Sequence, residues 1–435
     1  MAQSELIRAR RFAPLFWTQF LGAFNDNVFR FALIIYVTFT VAERTGMDAR
    51  SLVVITGAIF ILPFFLFSAL AGQLADKCEK SRLIRRIKTI EILLMGLGAV
   101  GFVVDSYEWL LVILFATGLQ STFFGPLKYG VLPQHLAREE LTGGNGLIQM
   151  GTYVAILGGS ICGGILAGLG EGAAPAIIVS IVSIAALGRL AAHFIPEAPP
   201  NDPELIVDAN PLRSSWRLAR QCLTQRQFIT LIGLISMFWF VGATFLSIVP
   251  IVGKELLNAN EQAVTFLTAA FTIGIGIGSL SCERLSGGRI ELGLVPFAAL
   301  AISAAATDVW LSGPPAAPAS ELTVTTFFLH LPAARFFFDL VIIGAAGALY
   351  IVPLYASLQA RVEQAICSRM LATLNICNAL FMVASAVFTL ILFSLGVSLT
   401  GVFGIVAALN LAALVAGVIV LPEFGQRAAN LLGYK

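Results

Sequence analysis

From residue 13 to residue 421 the chain alternates between apolar runs of helix-spanning length and short breaks where charges, prolines and glycines collect. A bilayer-crossing helix needs about 20 mostly apolar residues. The runs predict twelve spans, over 13–42, 51–73, 87–104, 109–132, 145–169, 174–195, 227–252, 262–283, 291–312, 335–358, 370–395 and 400–421. Runs this long exclude a transmembrane β-barrel, whose segments are about 10 residues of alternating polarity. Spans four and ten carry Pro126 and Pro353, tolerable where neighbouring helices re-satisfy the freed carbonyls. The first run follows Arg8, Arg10 and Arg11 as a signal peptide would. It is too long for one, is broken by Asn25-Asp26-Asn27 and lacks a small-residue cleavage site, so it is expected to stay as a span.

Composition narrows the class. Of 435 residues, 58% are apolar and 12% charged, and the mean hydropathy is +0.88, the signature of an integral membrane protein. The longest hydrophilic stretch, Pro196 to Arg226, is too short for a separate catalytic domain, and no nucleophile–base motif appears, so no enzyme activity and no cofactor are expected. A net charge of +2 offers no basic surface for nucleic acid. Six cysteines without paired spacing and three scattered histidines give no metal site. With the N-terminus inside, 21 of the 27 lysines and arginines fall on cytoplasmic segments, Lys77, Lys80, Arg82, Arg85, Arg86 and Lys88 among them. That bias predicts two cytoplasmic termini.

The chain also repeats. Phe20-Leu-Gly-Ala23 recurs as Phe240-Val-Gly-Ala243, Gly72-Gln-Leu-Ala-Asp76 as Gly278-Ser-Leu-Ser-Cys282, and Pro126-Leu127 as Pro353-Leu354. The repeats imply a six-helix half over 1–195, a cytoplasmic linker over 196–226 and a second six-helix half over 227–435. Parallel six-span repeats resemble the major facilitator superfamily, an all-α membrane fold with a midplane cavity between pseudo-symmetric halves.

Two segments carry candidate chemistry. The loop Gly72-Gln-Leu-Ala-Asp76-Lys77-Cys-Glu-Lys80-Ser-Arg82 resembles that superfamily's loop 2–3 signature, in which glycine, carboxylate and basic residues hold a cytoplasmic gate; a basic loop that only fixes topology is the other reading. Glu79 stands where a small residue is usual. The second copy has Cys282 in place of the acid, followed by Glu283 and Arg284, so its gate is expected to be weaker. In span one, Asp26 sits at the helix centre, where a carboxylate costs about 2.5–3.5 kcal/mol. Arg30, four residues on, is its obvious local partner, flanked by Asn25 and Asn27. The pair fits either a structural lock or a role in transport. The equivalent segment of span seven, Phe245-Leu246-Ser247, has no charge.

Gln19-Phe-Leu-Gly-Ala-Phe-Asn-Asp-Asn27 resembles the bacterial lysophospholipid transporters. So do Gly125-Pro-Leu-Lys128-Tyr129-Gly130, Asn145-Gly146-Leu147, Val352-Pro353-Leu354 and Leu358-Gln359. The resemblance implies inward movement of lysophospholipids, such as lysophosphatidylethanolamine and lysophosphatidylglycerol, across the bacterial inner membrane. Re-acylation would follow through a cytoplasmic acyltransferase/acyl-carrier-protein ligase. It carries over Asp26 and Lys128 as head-group residues; snorkelling to the interface is the other reading of Lys128. Some relatives place an arginine in span seven, absent here, and Arg30 is assigned that charge instead. Gln120, Gln149, Tyr153, Asn375 and Asn378 are further polar groups in spans, suited to helix–helix hydrogen bonds as well as to lining a cavity. Glu91 reads as interfacial, and Asp339 as a structural partner of Arg335. Glycines of spans five and eight fit a lateral portal or plain tight packing, and the 33 phenylalanines fit an acyl path or a lipid-facing surface. The expected protein is a monomeric lysophospholipid transporter; a proton-coupled exporter of amphipathic molecules, with Asp26 as proton site, is the alternative.

Overall fold

The computed structural model describes residues 3–45, 49–208, 210, 213–214, 216–217, 220, 225–313 and 321–433. Part of the predicted linker, together with Cys222 and Lys435, lies outside the described residues. Twelve long helices follow one another: α1 (Ala13–Tyr36), α2 (Ala49–Lys77), α3 (Lys80–Val104), α4 (Tyr107–His135), α5 (Leu141–Ala167), α6 (Ala173–His193), α7 (Arg226–Ile251), α8 (Glu261–Leu285), α9 (Leu294–Leu311), α10 (Leu331–Arg361), α11 (Cys367–Ser394) and α12 (Leu399–Val420). A nine-residue amphipathic helix, α13 (Glu423–Leu431), ends the described chain. Among the described residues, eleven helices are long and apolar enough to cross a bilayer. The remaining long helix, α1, has the length, 24 residues, but its central Asn-Asp-Asn and Arg30 make it more polar. Helices α1 and α7 each run on into a π-helical turn, Val37–Val41 and Val252–Leu256.

Local chemistry sets where these helices start and stop. The Glu79 carboxylate accepts from Ser81 N at 2.9 Å and Arg82 N at 2.6 Å, capping α3 about two turns before the predicted span. Ser106, Asn260 and Ser398 cap α4, α8 and α12 in the same manner. Asp105 turns into the left-handed region at φ 57° and ends α3. Helices α4 and α10 run through Pro126 and Pro353.

The chain forms two compact units. The first comprises Met1–Arg138, Gly151–Cys222 and Arg361–Ile376; the second comprises Glu139–Met150, Leu223–Ala360 and Cys377–Lys435. Unit 1 has a dry core where Phe29 and Leu33 of α1 meet Met95 of α3, Leu114 of α4 and Ile181 of α6. Helix α1 lies tight against α5: a Cβ on Gly159 would sit 2.4 Å from Phe24 O and 3.0 Å from Asn27 Cβ, and one on Gly163 would sit 2.5 Å from Val28 O. Unit 2 is knit by the Phe245–Phe403 stack, with centroids 4.6 Å apart, and by Asn410, which donates to Ala299 O and Ser303 Oγ at 2.9 Å each. Gly274 and Gly278 of α8 take α10 at backbone distance, 2.2 Å to Val341 O and 2.1 Å to Ala345 O from the Cβ positions. The glycines of α5 and α8 thus serve close helix packing. Outward positions stay apolar and uncovered, Val103 at 73% exposure and Val179 at 65%, as a lipid-facing surface requires.

Candidate functional site

The polar stretch of α1 meets polar residues of α3 and α4 inside unit 1. Asp26 was expected to pair with Arg30; no ion pair within 4 Å joins them. The Ser121 hydroxyl on α4 donates to Asp26 Oδ2 at 2.5 Å. Arg30 donates to Asn27 Oδ1 at 2.7 Å, and Asn27 Nδ2 donates to Ala23 O at 2.7 Å. The reason is geometric: a three-residue step lets the Arg30 guanidinium fold onto the amide, between the rings of Phe31 and Phe60 at 5.7 and 5.4 Å. Asp26 Oδ1 and Arg30 Nε are both buried without a hydrogen-bond partner among the described residues.

Beside them lies a buried ion pair that the sequence reading did not anticipate. Lys88 and Glu91 are buried inside unit 1, 1% and 2% exposed. Lys88 Nζ approaches Glu91 Oε2 to 2.5 Å. Glu91 also accepts from Gln120 Nε2 at 3.0 Å and from Asn25 Nδ2 at 3.5 Å. Gly22 leaves room for this ammonium, since a Cβ there would stand 2.3 Å from Lys88 Nζ. The i,i+3 spacing of the two charges within an apolar run was the available signal.

Asn25, Asp26, Asn27, Arg30 and Gln120 are therefore brought together, with Lys88, Glu91 and Ser121 added. Lys128 lies two turns along α4 from Ser121 on the same face, about 10 Å away. Its ammonium sits 4.8 Å from the centroid of the Tyr129 ring and makes no ion pair within 4 Å among the described residues. Tyr129 and Tyr153 are buried. Gln149, 1% exposed, belongs to unit 2, with its Nε2 lacking a hydrogen-bond partner. Asn145 and Gln359, from two separate motifs, meet in unit 2, where Asn145 Nδ2 donates to Gln359 Oε1 at 2.6 Å.

A second polar cluster in unit 1 is built on Asp76. Asp76, fully buried, caps the start of α11: Oδ1 accepts from Ser368 N at 3.0 Å, and Oδ2 accepts from Arg369 N at 3.1 Å and Arg369 Nε at 3.0 Å. Gly72, one turn earlier, permits this approach; a Cβ there would be 2.5 Å from Ala372 Cβ and 2.9 Å from Ser368 O. The first part of the predicted linker joins in as a strap. Asn201 Nδ2 donates to Asp76 Oδ1 at 2.9 Å, Asp202 pairs with Arg369 at 3.0 Å, and Lys80 Nζ donates to Pro199 O at 3.1 Å. Burial alone would raise the Glu79 carboxyl, but the N–H groups of Ala198, Ser81 and Arg82 and the Ser81 hydroxyl hold it below the usual carboxylate range. Its contribution is present above the unfolded-state value and is lost as pH falls through the lowered one. Lys77 and Arg82 are exposed. In the second copy Cys282 is buried without an acid's function, Arg284 is exposed, and Gly278 is spent on α10 rather than on a helix start.

The model of the Major Facilitator Superfamily matches residues 15–329. Curated relatives include the lysophospholipid transporter LplT of Enterobacter sp. (strain 638), 27% identical over 348 residues, covering 79% of this chain and 78% of the relative. Another is its namesake from Serratia proteamaculans (strain 568), 26% identical and covering 81% of each chain. Among solved structures, the human organic anion transporter MFSD10 superposes with a TM-score of 0.68 at 15% identity, covering 92% of this chain and 98% of that one. A bacterial homologue of the iron transporter ferroportin, in its outward-facing state, gives 0.60 at 14%, covering 94% and 99%. With eleven apolar helices among the described residues and the family model agreeing over most of its length, the chain is a multi-pass membrane transporter and belongs to the major facilitator superfamily.

Proposed function

We propose that this transporter moves lysophospholipids from the outer to the inner leaflet of the bacterial inner membrane by alternating access. One observation carries the reading: the buried pair of unsatisfied groups on α1, Arg30 Nε and Asp26 Oδ1. A guanidinium and a carboxylate four residues apart match the phosphodiester and the ammonium of a zwitterionic head group. The names of the relatives support the same substrate class. Lys128, a cation two turns along α4, extends the path for a phosphate. Asp76 with Arg369 and the strap serves as the cytoplasmic gate. On this reading both termini are cytoplasmic, the protein works as a monomer, and its product is consumed by a cytoplasmic acyltransferase.

The test is uptake of labelled lysophosphatidylethanolamine and lysophosphatidylglycerol into spheroplasts, with and without a proton gradient. Wild type is expected to take up both lipids. Arg30→Ala, which removes a charged hydrogen-bond donor to phosphate, is expected to lower uptake about tenfold or more. Wild-type spheroplasts that accumulate neither lipid, or an Arg30→Ala variant as active as wild type, would overturn the reading.

A further inference from the structure

The first three turns of α3 carry more positive charge than the fold uses. Lys80 is tied to Pro199 O and Lys88 to Glu91, whereas Arg82, Arg85 and Arg86 stay near the surface. Arg82 and Arg86 are exposed one turn apart, at the head of an outward stripe that continues through Thr89, Ile90 and Leu93. Arg189, in the last turn of α6, reaches the same place: its Nε donates to Thr89 Oγ1 at 2.9 Å. Thr89 Oγ1 in turn donates to Arg85 O at 2.9 Å. Residues three or four apart on a helix have Cβ atoms about 5–6 Å apart, so the Thr89 bond brings Arg189 within a turn of Arg85 and Arg86.

Four guanidiniums thus gather around one carboxylate. Glu79 Oε2 lies 3.7 Å from Arg82 Nε and 3.9 Å from a terminal nitrogen of Arg85, and the same carboxylate already accepts from the N–H groups of Ser81, Arg82 and Ala198. Arg86 and Arg189 form no ion pair within 4 Å among the described residues. Like charges one turn apart on a helix are destabilising, so an excess of three positive charges calls for an anion. A signal for membrane orientation needs only that the charges lie on one side; it requires neither their outward register nor a hydrogen bond between helices. Beyond the arginines the surface turns apolar. Ile90 and Leu93 continue the stripe on α3, and Leu187 and Leu190 form another on α6, with Leu93 63% and Leu190 56% exposed.

We propose that this α3–α6 edge of unit 1 holds an anionic phospholipid of the surrounding bilayer, its phosphodiester on Arg86 and Arg189 and its two acyl chains along the apolar stripes. A guanidinium presents a planar pair of N–H donors that matches a phosphate. Basic clusters between membrane helices suit anionic head groups, and the adjoining apolar stripes select a lipid over a free phosphate. The lipid is resident and not carried, so the site stands independently of what the transporter moves.

The test uses the full-length protein in detergent, with dioleoylphosphatidylglycerol or dioleoylphosphatidylcholine added as mixed micelles. The anionic lipid is expected to raise the Tm of wild type more than the zwitterionic one does. Arg86→Gln combined with Arg189→Gln is expected to raise the phosphatidylglycerol concentration needed for half of that shift about tenfold. Arg86→Gln alone, which leaves the bond between Arg189 and Thr89 in place, is expected to give part of that loss. Arg8→Gln combined with Arg10→Gln, which removes the same charge from exposed positions elsewhere, is expected to leave the concentration unchanged. Glycerophosphoglycerol, the head group without its chains, is expected to act alike on wild type and on the Arg86 and Arg189 double variant. Equal stabilisation of wild type by the two lipids, an equal loss in both double variants, or a glycerophosphoglycerol effect that disappears with Arg86 and Arg189 would overturn the site.

Discussion

Glu91→Ala is expected to destabilise the protein by about 3–5 kcal/mol, because it strands a buried ammonium. Lys88 Nζ and Glu91 Oε2 are 2.5 Å apart, with the two side chains 1% and 3% exposed. With the carboxylate gone, Lys88 keeps the face of the Phe124 ring, whose centroid lies 5.2 Å from Nζ. The amides of Gln120 and Asn25 lose their shared acceptor as well. Removing both charges is a different change: a hydrophobic pair of similar volume often costs nothing or stabilises. Lys88→Met combined with Glu91→Leu is therefore expected to recover most of the Tm lost in Glu91→Ala, measured on purified protein in detergent. A double variant as unstable as the single one would show that the charges are not the source of the loss.

Asp76→Ala is expected to release the start of α11 and abolish most transport. Four donors converge on this carboxylate, two from the α11 backbone, one from the Arg369 side chain and one from Asn201. Losing it leaves a largely buried arginine with Asp202 as its one ionic partner within 4 Å among the described residues. A cost of about 3 kcal/mol corresponds to a roughly hundredfold larger open population. Cys367, the first residue of α11 and 3% exposed, is a native reporter. Its maleimide labelling, resolved from the other cysteines by mass spectrometry, is expected to rise steeply in Asp76→Ala and modestly in Asp76→Asn. An unchanged labelling rate would show that Asp76 does not hold this helix.

These sites show which kinds of information the chain displays openly. The long helices were legible because a bilayer imposes one length and one polarity on every span. The capping and clamping residues Gly72 and Asp76 were legible as a motif, although nothing local indicated that the linker would bind them. Charge pairing was read less well, for a consistent reason. Helical periodicity proposes partners four residues away, and for Asp26 and for Arg335 the partners are on another helix: Ser121, 95 residues on, and Asp308, 27 residues back. Lys88 follows Arg85 and Arg86, so it passed for the end of a basic loop. Glu79 explains the displacement, since by capping α3 early it carries Lys88 two turns into the helix.

The self-contained pair on α3 also bears on how the chain enters the membrane during synthesis. Lys88 and Glu91 neutralise one another within a single helix, so α3 brings its own counter-charge to the translocon. Arg30 likewise finds Asn27 on its own helix. Asp26 has no such local hydrogen bond, because the serine that binds it is 95 residues downstream. At about 5–20 residues per second that interval is roughly 5–20 s. For that time α1 holds an unsatisfied carboxylate, which favours its waiting in the protein-lined insertion channel until α4 emerges.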